Sequence, residues 1–185
     1  QRMKQAGIDS LGMHLEVVEP EVRRRILPGK SEISLERYYE AFADAVYAFL
    51  SGLPKGARYA VELRNATLFT PRYVSALEAT GVSHCYNVHP TMPSLVHQRR
   101  LVGVHRGPLV IRWMLREGLS FEGARERYAP FDAIVDHDLD TRMSLIRLID
   151  EVSQAGGRIM LIVNNKAEGC SPQSILELAR AWAER

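Results

Sequence analysis

At 185 residues, 46% hydrophobic and 25% charged, the chain has the length and composition of one globular domain with a core of its own. Its 24 basic and 22 acidic residues nearly cancel to a net +2, so no strong field points to nucleic acid or membrane, and no apolar run approaches the ~20 residues of a membrane span. Cys85 and Cys170 make neither a disulfide framework nor a metal-site spacing, which suits a reducing cytoplasm.

In chain order, QRMKQAG reads as the last turns of a helix closed by Gly7, and Gln1 is no initiator, so further chain is expected upstream. Asp9 to Val18 alternates as a strand, with Leu11, Met13, Leu15 and Val17 on one side and His14 and Glu16 on the other. Pro20 opens a short helix, Glu21 to Leu27, that stops at Pro28-Gly29. Ser34 is a good N-cap for a longer helix, Leu35 to Leu50, whose Tyr38, Tyr39, Phe42, Val46 and Phe49 recur at helical spacing. A second strand, Arg58 to Arg64, turns Tyr59, Val61 and Leu63 one way and Glu62 and Arg64 the other. Thr70-Pro71 caps the next helix and Gly81 closes it. The third strand, Val82 to Val88, runs into the proline-broken loop His89 to Pro93, and the fourth, Leu109 to Leu115, places Arg112 in an apolar run. Ser120 begins a short helix that ends before Pro130, and Asp140 is read as the cap of a helix over Thr141 to Ala155. The last unit is the most informative. Ile159 to Val163 is an apolar strand that ends in Asn164 and Asn165, and a Gly-containing loop then leads to Ser171, read as the N-cap, and Pro172 at the start of an amphipathic helix.

Five strands separated by helical sequence predict a parallel α/β sheet with right-handed crossovers, whose ligands bind at the carboxyl ends of the strands. A closed barrel of this type takes eight strands and about 250 residues. Five strands fall short, which leaves an open sheet, a partial barrel, or a piece that associates to cover its edges.

From about Leu50 onward, LSGLPKGARYAVELRN, GVSHCYNVHPTMPSLVHQ, GPLVIRWML and IVNNKAEGCSP follow one another in an order that resembles the YecE-like family, the domain of unknown function 72. The resemblance implies a TIM-type barrel of unestablished activity, here with five strands in a partial or incomplete barrel. It carries the family's polar strand-end positions onto Glu62 and Arg64, Asn87, Arg112, and Asn164 with Asn165. Residues 1–49 resemble instead a mid-barrel fragment of biotin-synthase-like radical SAM enzymes, which implies a chimera with a seam near 48–56 and would place Glu16 near the SAM ribose. The CxxxCxxC motif that holds such an enzyme's iron-sulfur cluster is absent, so neither S-adenosylmethionine nor a cluster is expected.

The site expected from these residues has Glu62 in an acid/base role, with Arg64 or Arg112 clamping a carboxylate or phosphate. Their structural alternative is an ion pair that satisfies itself within the sheet. Asn87 and Asn164 are assigned to ligand contact. Asn165 is assigned to ligand contact or to tying down its own loop, and Lys166 to an anion at the following helix N-terminus. Asp136-His137-Asp138 and His84 with His89 lack metal-ligand spacing, and no metal is expected. Cys170 has no evident base beside it and is read as incidental. The expected partner is a small polar or anionic molecule, with self-association if the barrel is incomplete. The rival expectations are a non-catalytic scaffold whose strand ends satisfy one another, and a radical SAM fragment without its cluster.

Overall fold

The computed structural model describes residues 34–103 and 108–185. The expected strand Asp9 to Val18 and helix Glu21 to Leu27, with His14 and Glu16, lie outside them. The described residues form α1 (Leu35–Ser51), β1 (Ala60–Glu62), a 3-10 turn (Ala66–Leu68), α2 (Pro71–Thr80), β2 (Ser83–Val88), α3 (Leu95–Val102), β3 (Leu109–Trp113), α4 (Phe121–Tyr128), α5 (Leu139–Gln154), β4 (Ile159–Val163) and α6 (Ser171–Ala183). The four strands make one sheet in the order β1-β2-β3-β4, parallel throughout. No described helix is long and apolar enough to cross a membrane.

Alternation along the strands gives the sheet two unlike faces. Tyr86 of β2 and Leu109, Ile111 and Trp113 of β3 are buried against Leu145, Ile146, Ile149 and Val152 of α5 and Leu178 of α6. A second cluster joins Val61 and Leu63 to Phe42, Val46 and Leu50 of α1 and to Tyr73, Val74 and Leu77 of α2. On the opposite face of β4, Met160 is 58% and Ile162 44% exposed.

The helix starts follow local chemistry. Ser34, Thr70 and Ser120 each accept from the backbone N–H three residues on, at 3.2, 3.3 and 3.0 Å, and Gly81 takes the left-handed conformation (φ 67°) that ends α2. Two expected caps need correction. Asp138, not Asp140, caps α5 through a bond from Thr141 N–H at 3.1 Å, and Asp140 falls in the first turn, where its charge complements the helix dipole. Cys170, not Ser171, is the N-cap of α6 and makes no side-chain cap bond. The carboxamide of Asn165 takes over that task, accepting from Ser171 N–H at 2.8 Å.

Candidate functional site

The polar residues expected at the strand ends do gather at one end of the sheet, because every strand runs in the same direction. Glu62 closes β1, and Arg64 Nε donates to its Oε1 at 3.0 Å while Arg112 Nη1, from β3, donates to its Oε2. Both carboxylate oxygens are thus engaged by guanidinium groups. Asn164 accepts from Lys166 N–H at 2.9 Å, so at least its oxygen tightens the turn that follows β4. The Lys166 ammonium lies 4.1 Å from the centroid of the Phe121 ring, a cation-π contact at the start of α4.

Asn87 is placed differently. It stands beside Arg112 in the β2-β3 register and is 1% exposed. Its backbone is gripped by Gln98 of α3, whose Nε2 donates to Asn87 O at 2.7 Å and whose Oε1 accepts from Asn87 N at 3.1 Å. Its side-chain Nδ2 donates to Leu63 O beyond β1. A carbonyl only accepts, so the amide nitrogen must face Leu63 and the oxygen is the atom on the other side. That Oδ1 is buried without a hydrogen-bond partner.

Asn87 also lines a cavity of about 410 Å3 at the carboxyl ends of β2 and β3. One wall is the loop from His89 to Ser94 at the start of α3, and Arg116 and Glu117 follow β3 on another. Asp138, Asp140, Thr141 and Ser144, at the start of α5, complete it. His89 accepts from Thr91 N–H through Nδ1 at 3.3 Å, which leaves the ring proton on Nε2. Burial and the nearby Arg64 lower its pKa from the usual histidine value, against an opposing pull from Glu62. The imidazole is accordingly neutral near pH 7.

Two buried polar groups that the sequence reading passes over hold this end together. Glu168 is fully buried, accepting from Arg142 Nη2 at 2.7 Å and from Asp138 N–H at 2.7 Å, while its carbonyl accepts from Val135 and Asp136 N–H. The signal for it is Arg142, a cation on the same helical stripe as Leu145, Ile146 and Ile149, where a charge needs a buried partner. Gln98 offers no comparable signal. His84, behind the site, donates from Nε2 to Gln98 Oε1 at 3.2 Å and has Nδ1 3.3 Å from Tyr73 OH, and burial pushes its pKa down to about 4.

The residues considered for a metal have other tasks. Asp136 is clasped by Arg127, at 2.6 and 2.8 Å, and by Tyr128 OH at 2.8 Å, and the arginine bond above all holds its pKa at about 2. His137 lies 3.4 Å from Glu177 and Asp138 caps α5. Among the described residues no group of three or more histidine, cysteine, aspartate or glutamate side chains is placed to hold a metal ion. Cys85 and Cys170 are both free and buried, and burial raises the Cys85 thiol to about 11.

No curated protein and no solved structure matches the chain. One family model, protein of unknown function DUF72, matches residues 34–185. The match takes in residues 34–49, grouped above with the radical SAM enzymes, and nothing supports a radical SAM segment or a chimera. It also contains every described residue of the strand ends and the cavity. The chain belongs to the family described as protein of unknown function DUF72.

Proposed function

We propose that the chain binds a small polar molecule in the cavity at the carboxyl ends of β2 and β3, with Asn87 as its anchor. One observation carries the reading. Of the described residues that line the cavity, Asn87 alone has a buried side-chain atom without a hydrogen-bond partner, and its backbone is held in place by Gln98. A buried acceptor left unpaired costs roughly 1–3 kcal/mol, and a donor on a ligand in the cavity would offset that cost. His89 is the wall residue suited to move a proton, being neutral and half-buried. In this reading Glu62 does not act as an acid or base. It gathers Arg64 and Arg112 beside Asn87, and the carboxamide oxygens of Asn164 and Asn165 shape the loop before α6.

A second reading has specific support. The Glu62 cluster and the oxygens of Asn164 and Asn165 pair within the protein, as a non-catalytic scaffold requires, and Asn87 is what separates the two. We also read the sheet as one wall of a TIM-type barrel. Its support is the consecutive parallel order, with helices packed on one face and Met160 and Ile162 exposed on the other. Two buried, unpaired cysteines support a cytoplasmic setting.

Thermal unfolding in the presence of single polar compounds, hexoses and free amino acids among them, tests the binding reading. Bound ligand raises the midpoint by roughly 2–4 °C per kcal/mol for a chain of this size. Ser144→Trp fills the cavity from its α5 wall and leaves the Asn87-Gln98 bonds intact, so it should abolish the shift. A full shift in that variant, or none from any compound in the wild type, favours the scaffold.

A further inference from the structure

We infer that the cavity selects a protonated amine over a neutral hydroxyl or an anion. The inference rests on the binding reading above and adds the chemical class of the ligand. Three features of the site converge on it. The unpartnered atom is an acceptor, Asn87 Oδ1, fixed in that orientation by the Nδ2 bond to Leu63 O, so it calls for a donor. The ionised side chains that line the cavity are the carboxylates of Glu117, Asp138 and Asp140 and the guanidinium of Arg116, a formal charge of −2 with His89 neutral. The cations at this end of the sheet are already engaged. Arg64 and Arg112 are on Glu62, Lys166 is over Phe121, and Arg116 donates to Asp136 O at 3.3 Å.

An anion entering the cavity therefore meets carboxylates and an amide oxygen. An ammonium group brings three donors, one for Asn87 and two for the carboxylate side of the wall. Leu95, Leu115 and Met92 offer the ligand's carbon skeleton an apolar floor.

Calorimetric titration with three hexoses, glucosamine, glucose and glucose 6-phosphate, tests the inference. Glucosamine should bind at least about tenfold more tightly than glucose, the size of effect a net charge exerts a few ångströms away in a partly buried site, and glucose 6-phosphate more weakly than glucose. Asp140→Asn removes one carboxylate from the first turn of α5 without touching the Asp138 cap. It should lower glucosamine affinity about threefold, and by more than it lowers glucose affinity. Binding of glucose 6-phosphate as tight as that of glucosamine overturns amine selection while the binding reading stands. An equal loss for glucose in the Asp140→Asn variant overturns it as well. No heat from any of the three overturns amine selection, while a midpoint shift from another polar compound keeps the binding reading.

Discussion

Asn87 and Gln98 show how much a site depends on groups that never touch its ligand. Gln98 uses both ends of its carboxamide on the strand that carries Asn87, and its oxygen also accepts from His84. Burial disfavours the charged form of His84, which ties stability to pH. An unfolded histidine takes a proton near pH 6.5, whereas folded His84 resists down to about 4. Between those values the unfolded chain binds more protons, so stability falls as pH drops through that window, by up to roughly 3 kcal/mol in all. His89 contributes in the same direction. Denaturant midpoints measured from pH 7 to pH 4 should show this slope, and His84→Phe should remove most of it. An unchanged slope in the variant means that other groups set the acid limit. Asn87 was legible as a polar residue at a strand's end. Its unpaired oxygen was not, because that follows from where Leu63 O and Gln98 lie.

The strands and most helices announce themselves through alternation, apolar runs and caps, and the four described strands fall within two residues of their expected limits. β1 is shorter than its pattern, and α3 was not singled out, since SLVHQRRLV follows a proline-broken loop and its buried face includes the polar Gln98. The loop after β4 was legible as the most distinctive stretch, but its task was not. It carries Glu168 to Arg142, 26 residues earlier in the chain, and docks the segment from Ala133 to Asp138 that leads into α5. Gly169 makes the close approach possible. Its φ is 123°, and an added Cβ would stand 2.5 Å from Ala133 O. Gly169→Ala should therefore destabilise the fold by more than about 2 kcal/mol in denaturant titration, and a change below about 0.5 kcal/mol would show that the two loops are not held together as described.

On the scale of the whole molecule, a parallel sheet is normally covered on both faces. Here the described helices cover one, and Met160 and Ile162 lie exposed on the other. If the sheet is a barrel wall, as proposed above, this face is its interior, and a charge on it should be poorly tolerated. Ile162→Glu should cost more than about 2 kcal/mol, whereas a loss within about 0.5 kcal/mol would mean that the face stays in water. The same parallel arrangement brings Glu62, Asn87, Arg112 and Asn164 to one rim, and the central claim is that among them Asn87 meets the ligand. The chain contains four asparagines, Asn65, Asn87, Asn164 and Asn165, so selective 15N labelling of asparagine gives a spectrum with few side-chain amide pairs. Titration with glucosamine should move the Asn87 pair while those of Asn65, Asn164 and Asn165 hold still. Movement confined to Asn164 and Asn165, with Asn87 silent, would contradict a site anchored on β2.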